Sequence, residues 1–342
     1  MARKVLHMHF GKDGGAERFF VNLVTAFDAA GLEQRFVTRP GRAWRQDVAR
    51  LGPIIESHYR RIAPSSIWLA WRVHAMVRRW QPDAIMAWMS RSTRLIPNYA
   101  GALKLTRLGD YPRHLKHFRH NDLIVANTPG IAEHCRKLGW TGRLEVVSNF
   151  VRPVTPEPVD RSELETPPNA FVVAASGRFV RRKGFDTLID AVAALPGAHL
   201  WLIGEGDLRP TLQAQAAERG IADRVRFTGW VREPLHIVAA ADVFVMPSRH
   251  EPLGNVVLEA WAAGVPCVST ASEGPQWFAT DGQDCLLVPI GDAPAMAAAI
   301  ARIRDDRELR QRLIDGGAKT LAATFTQDAV VSRYLDLLAG KA

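Results

Sequence analysis

Two cations five positions apart, Arg178 and Lys183, and two carboxylates eight positions apart, Glu251 and Glu259, are the side chains whose spacing bears most directly on chemistry. The cations belong to Gly177-Arg178-Phe179-Val180-Arg181-Arg182-Lys183-Gly184, which follows an apolar strand-like run and precedes a helical pattern. Open α/β sheets bind ligands just beyond the carboxyl ends of their strands. Two positive charges at such a place suit a pyrophosphate, and Gly177 and Gly184 would let backbone approach closely. A solvated basic turn would use the same residue types. The next strand-like run ends in Gly204-Glu205-Gly206, either a ligand contact or a simple strand-to-helix turn. No GxGxxG occurs in the chain, so a dinucleotide reading lacks its fingerprint.

The glutamates lie in the run from Met246 through Pro247, Glu251, Gly254 and Asn255 to Ala260. There a strand should end in a turn and a helix should open near Gly254–Asn255, leaving unpaired N–H groups that favour an anion. Eight residues of helix span roughly 12 Å, so Glu251 and Glu259 are too far apart to share a proton and instead suit different parts of one elongated ligand. Alternatively, Glu251 stabilises the helix dipole and Glu259 is solvated. Val257, Leu258 and Trp261 around Glu259 count against solvation, because a carboxylate among apolar neighbours needs a partner.

In combination these motifs resemble the retaining glycosyltransferases of family 4, which have the GT-B fold. The family pattern of a G-R-x4-K-G turn, a G-E-G turn and an E-x7-E pair occurs in order at Gly177–Gly184, Gly204–Gly206 and Glu251–Glu259. The tail Ala262–Ser269 and the stretch Gly282–Pro289 match as well; the N-terminal half matches more loosely, through Gly14-Gly15-Ala16-Glu17. The resemblance implies that Arg178 and Lys183 hold the donor pyrophosphate as leaving group and that Glu251 sits near the sugar and its phosphate. It implies that Glu259 binds the ribose hydroxyls, and that Gly254 and Asn255, with Val256, offer helix-terminal N–H groups. Gly177, Gly204 and Val231 join the donor-binding positions, the turn Phe227–Val231 lying near the base, and Gly14 and Gly15 line the cleft from the other domain. No cofactor or metal is implied, because cationic side chains and a helix dipole can do that electrostatic work. One departure concerns the His-Asp pair that many members carry in the N-terminal domain, which is absent here. The corresponding region is Arg107-Leu108-Gly109-Asp110-Tyr111, similar to a turn of some lipopolysaccharide-type members. It makes Asp110 the candidate polar residue, with His117 and His120 behind it.

The elements that must position these residues follow from periodicity. Lys4–His9, Ala84–Ala87, Leu123–Ala126 and Leu144–Val147 read as strands, separated by helices from Ala16 and over Ile67–Trp80 and Ile131–Leu138. Five prolines within residues 153–168 read as a linker. A second series then runs through strands at Ala170–Ala175, Leu200–Ile203, Val225–Phe227, Val243–Met246, Pro266–Ser269 and Cys285–Val288. The expected architecture is α/β, GT-B: two doubly wound Rossmann-like domains facing across a cleft. Residues 1–151 form the acceptor domain, 152–169 the linker and 170–325 the nucleotide-sugar domain, and a helix in 326–342 packs back on the first.

Composition narrows the setting. The chain has 342 residues, a length that suits two domains. Cys135, Cys267 and Cys285 are too few and too scattered for a disulfide framework, which suits a reducing cytosol. No run is long enough to span a bilayer, and the first residues do not read as a signal peptide. Residues 1–150 hold 24 Lys and Arg against 11 Asp and Glu, a balance of +13, while the whole chain is only +9. That charge suits an anionic partner. The expected partners are a nucleotide-sugar, a saccharide or lipid-linked acceptor, and an anionic membrane surface met by Arg72, Arg78, Arg79, Trp68 and Trp71. Nucleic acid is not expected, and the location expected is the cytoplasm, peripheral on the inner face of the cytoplasmic membrane. The rival readings are another GT-B enzyme such as a nucleotide-sugar epimerase, and a basic nucleic-acid-binding protein, which would leave Glu251 and Glu259 unexplained.

Overall fold

The computed structural model describes residues 4–11, 14–59, 64–153 and 155–340. Met1–Arg3 of the expected N-terminal run, Lys12 and Asp13 of the first turn and Val154 of the expected linker lie outside the described residues. The chain divides into two compact units, residues 1–150 with 327–342, and residues 151–326.

The first unit is built on β1 (Lys4–His9), β2 (Glu33–Thr38), β3 (Ile54–Glu56), β4 (Ala84–Trp88), β5 (Leu103–Leu108), β6 (Leu123–Ala126) and β7 (Arg143–Val146). Their order in the sheet is β3-β2-β1-β4-β5-β6-β7, with every pairing parallel. Side chains alternate across a strand, so β1 serves two cores at once. Val5 joins Phe19, Phe20, Phe36 and Trp88 on one face, while Leu6 and Met8 join Leu69, Val73 and Ile85 on the other. The helix Gly15–Ala29 buries Phe19, Phe20, Leu23, Val24 and Phe27, the 3.6-residue stripe read from sequence.

The helix Gln327–Leu338 belongs to the first unit, where Val330, Tyr334, Leu337 and Leu338 enter the Phe27 core. Its Tyr334 packs edge-on against Phe27, ring centroids 6.1 Å apart.

The second unit carries β8 (Phe171–Ser176), β9 (Ala198–Ile203), β10 (Val225–Gly229), β11 (Val243–Met246), β12 (Cys267–Thr270) and β13 (Leu286–Val288), in the order β10-β9-β8-β11-β12-β13. Its pairings are again parallel, and helices cover both faces. In both sheets the strand order reverses beside the first strand of the series, at β1/β4 and β8/β11. Loops leaving such neighbours diverge to opposite sides and open a crevice.

The proline-rich stretch is folded rather than a free spacer. Its 3-10 turn Arg161–Leu164 is closed by a capping box from Asp160 and Glu163. Arg161 donates to the carbonyls of Ala240 (3.0 Å) and Ala170 (2.7 Å) and pairs with Asp242 at 3.1 Å, fastening the segment to the second unit. Proline removes donors and periodicity, which hides such a segment from sequence patterns, but it leaves arginine free to satisfy exposed carbonyls.

Candidate functional site

The loops after β8 and β11, at the point where the second sheet reverses its order, are locked backbone to backbone. Gly184 ends the 3-10 turn Arg181–Lys183 in the left-handed region (φ 67°) and opens the helix Phe185–Ala193. A methyl group there would run into the Pro247 carbonyl, so only glycine lets the two loops touch. The same holds where the β9 loop meets the β8 loop: Gly204 has φ 143° and lies against the Gly177 carbonyl. Phe179 N donates to Glu205 O at 2.9 Å.

Side chains complete the clamp. Arg249 grips Asp186 through both carboxylate oxygens, at 2.8 Å each, and donates to the Arg181 carbonyl at 2.9 Å. Burial raises the Asp186 carboxyl, but hydrogen bonds and charge from Arg249, with backbone donors, hold it below its ordinary range. Glu273 is treated alike: its burial is outweighed by backbone donors, Glu251 N among them (3.1 Å), and by His250 at 2.7 Å.

Held by this frame, Lys183 and Glu251 form an ion pair, each side chain 15% exposed. Ser248 Oγ donates to the same Glu251 oxygen at 3.2 Å, and Ser248 is itself fixed by Thr270 Oγ1, which donates to its carbonyl at 2.6 Å. Lys183 and Glu251, read from sequence as separate donor contacts, are therefore one unit of opposite charges. Arg178 is exposed and lies two residues past the end of β8.

Gly254, in the left-handed region (φ 97°), opens the helix Asn255–Ala262 with no side chain capping it. The first N–H groups of a helix have no intrahelical acceptor and present a partial positive charge. Asn255, Val256 and Glu259 are each half-buried on this helix. Only Asn255 to Glu259 is helical, Glu251 to Gly254 being turn, so the 12 Å rise expected between the glutamates does not apply. Val231 follows β10 and is half-buried beside the exposed Trp230. Gly177, Gly184, Gly204, Val231, Glu251 and Gly254 thus all follow carboxyl ends of strands in one sheet.

In the first unit, Gly14 precedes and Gly15 opens the helix after β1. Asp110 follows β5 and accepts from Tyr111 N at 2.8 Å. It does not line the cavity formed by His117 and His120, which face Tyr59, His74 and Arg94 instead. Sequence reasoning missed the buried group beside β1. Arg107, 1% exposed, hydrogen-bonds Asn149 and lies 4.7 Å over the Phe19 ring. His9 stacks on Trp44 with ring centroids 5.7 Å apart. Its Nε2 is 3.7 Å from Glu17, too long for a hydrogen bond, and it has no hydrogen-bond partner among the described residues. Burial first, then the charges of Arg107, Arg42 and His7, pull the His9 imidazole down to about 3. His7 falls to about 3 through burial, which outweighs its 3.1 Å hydrogen bond to Gln34. The alternation of His7 and His9 along β1 was visible in sequence, but their aromatic surroundings come from the helix Gly15–Ala29, β2, β4 and the turn residue Trp44. Met89, after β4, takes φ 65°, unusual for a side chain of its size.

Known proteins match along this whole frame. The family model described as "Glycosyl transferases group 1" covers residues 157–320, and that described as "Glycosyltransferase Family 4" covers residues 13–154. The lipopolysaccharide core biosynthesis glycosyltransferase LpsE of Rhizobium meliloti (strain 1021) is 53% identical over 338 residues, 99% of each chain. LpsD of the same strain, also a lipopolysaccharide core biosynthesis glycosyltransferase, is 48% identical, covering 98% of this chain and 97% of its own. Among solved structures, Anabaena HepE in complex with UDP-glucose superposes with a TM-score of 0.86 at 20% identity, covering 98% of this chain and 99% of that one. WaaG, a glycosyltransferase involved in lipopolysaccharide biosynthesis, gives 0.76 at 17%, over 98% and 100%. Two parallel doubly wound sheets, the clamped loops after β8 and β11 and these likenesses together establish that the chain belongs to the group 1, family 4 glycosyltransferases and has the GT-B fold.

Proposed function

We propose that this glycosyltransferase moves a sugar from a nucleoside-diphosphate sugar to a saccharide or lipid-linked acceptor, with the anomeric configuration retained, in synthesis of the lipopolysaccharide core. The observation that carries the reading is the Lys183–Glu251 pair held beside the uncapped start of the helix Asn255–Ala262. As the bond from the sugar to the diphosphate breaks, negative charge grows on the leaving oxygen. Lys183, Arg178 and the helix-terminal N–H groups at Gly254, Asn255 and Val256 stabilise that charge, so no metal is needed. Glu251 orients the sugar and the Lys183 ammonium together, and Glu259 accepts from the ribose hydroxyls. The departing phosphate oxygen takes the proton of the acceptor hydroxyl, which then bonds to carbon on the face the phosphate has left. Gly177, Gly204 and Val231 line the donor. Gly14, Gly15 and Asp110 serve the sugar and acceptor from the first unit.

The names of LpsE and LpsD support the lipopolysaccharide core as the pathway. Peripheral docking on the inner face of the cytoplasmic membrane fits the helix Pro64–Trp80, where Ile67, Trp68 and Trp71 are 77%, 53% and 67% exposed. Arg72 lies 4.5 Å over the Trp68 ring, and Arg78 and Arg79 are exposed on the same helix. Among the described residues no helix is long and apolar enough to cross a membrane.

A thermal-shift screen against UDP-, GDP- and ADP-sugars tests the donor. A true donor at about 100 times its dissociation constant stabilises the fold by about 2.7 kcal/mol. The anomeric configuration of the product, read by NMR, tests retention. A chain indifferent to every sugar nucleotide, or a product of inverted configuration, would refute the proposal.

A further inference from the structure

A cavity of about 630 Å³ in the first unit lies outside every residue assigned above to the donor. It is within the size range of small-molecule sites. Its lining includes Arg94, Lys116 and Arg119, with His74, His117 and His120, and no acidic side chain among the described residues. The acid nearest in sequence, Asp122, is paired with Lys104 at 2.9 Å.

The cations are presented on a fixed loop. Phe118, 1% exposed, is sunk into a core between Lys116 and Arg119. The backbone bonds Phe118 N to Leu115 O and Asn121 N to Phe118 O, 2.9 Å each, close the turn. Asn121 also donates to Thr106 Oγ1 at 2.9 Å, joining the loop to β5. Arg119 donates its Nε to His120 Nε2 at 3.1 Å, which ties the guanidinium to its neighbour in the lining. Arg94 Nε is buried without a hydrogen-bond partner among the described residues. Burial, with the charges of Arg119 and Lys104, pulls the His120 imidazole below its usual range. Three permanent cations lining one cavity, with no counter-charge among the described lining residues, leave a positive potential that a dianionic oxygen cluster would relieve. A guanidinium fork can take two phosphate oxygens at once, and the charge of three cations favours a dianion over a monoanion.

We propose that this cavity binds a phosphate group carried by the acceptor saccharide, holding the acceptor while its hydroxyl reacts. The proposal rests on the glycosyltransferase reading for the identity of the acceptor, not for the existence of the site. Sugars and lipid headgroups both carry phosphate, and the two sources are separated by probe. Calorimetric titration with glucose 6-phosphate tests the sugar-borne source in the wild type, in Lys116→Gln/Arg119→Gln and in Lys183→Ala. Both cavity residues are exposed, so the double variant keeps its melting temperature. The expected result is binding in the wild type, weakened about tenfold or more in the cavity variant and unchanged in Lys183→Ala. Absence of binding in the wild type, or binding lost with Lys183 and retained in the cavity variant, overturns the proposal. Phosphatidylglycerol vesicles that bind through Lys116 and Arg119 while glucose 6-phosphate does not bind would assign the cavity to a headgroup and also overturn it. Sugar-nucleotide thermal shifts, which report on the second unit, fail or succeed independently of these titrations.

Discussion

Lys183 and Glu251 meet as an ion pair across two loops, one leaving β8 and the other leaving β11. The cation assigned to the leaving phosphate is therefore already oriented by a carboxylate before any donor arrives. Removing either charge should be felt in turnover. Lys183→Ala and Arg178→Ala are each expected to slow transfer by about a hundredfold, close to 3 kcal/mol of lost stabilisation. Glu251→Gln should lower kcat with little change in donor KM. Steady-state kinetics on the three variants check this, and near-normal turnover in both cation variants would remove them from the mechanism.

Glu259 sits one helical turn beyond Asn255, and its assigned partner is the ribose. Glu259→Gln should therefore raise the donor KM about tenfold or more while kcat changes little, the loss of a charge-assisted hydrogen bond. A fall in kcat at constant KM would exchange the roles of the two glutamates.

If Arg178, Lys183 and the helix start supply the positive charge a divalent ion would otherwise bring, transfer should survive an excess of EDTA. Loss of activity in EDTA with recovery on adding magnesium or manganese would contradict that electrostatic assignment.

On the helix Pro64–Trp80, binding to phosphatidylglycerol vesicles should be measurable at low salt and weaken as salt rises, each arginine contributing about 1 kcal/mol near the surface. Arg78→Glu/Arg79→Glu should abolish it without altering the thermal shift caused by a sugar nucleotide. Arg72, half-buried against Trp68, is left in place so that the fold is untouched. Wild-type protein that ignores the vesicles at low ionic strength would rule out this docking face.

Burial holds His7 and His9 at about 3 in the folded chain. Below about 6.5 the unfolded chain takes up protons that the folded one refuses, so stability falls as pH drops from about 6.5 toward 3. The slope approaches at most about 1.4 kcal/mol per pH unit for each histidine. Melting temperatures at about pH 7.5 and 5 should show the decline, and His9→Asn should flatten it relative to the wild type. A melting temperature equal at the two pH values would contradict the buried neutral state.

The motif-bearing loops of the second unit were legible because their glycines and cations are contiguous in sequence and follow apolar runs. Lys4–His9 and Val243–Met246 were readable to the residue, because alternation and β-branched content leave little choice. Short strands such as Ile54–Glu56, with every residue half-buried, carried no such signal. The Lys183–Glu251 contact spans 68 positions, and the Arg249–Asp186 clamp 63. Local periodicity holds no information on which distant charges will meet. The same limit hid Arg107, whose partner Asn149 lies 42 positions away, and the cavity shared by Arg94 and Arg119.

The helix Gln327–Leu338 gives the chain a particular order of assembly on the ribosome. Residues 151–326 form one uninterrupted stretch and can close their core while synthesis is still under way, whereas the first unit, begun earlier, waits for its last buried side chains. Until Tyr334, Leu337 and Leu338 emerge, the Phe27 core stays open to water. A chain cut after residue 326 should hence leave the first-made unit as the aggregation-prone one, and an isolated fragment of residues 1–150 should express poorly, whereas residues 151–326 should not.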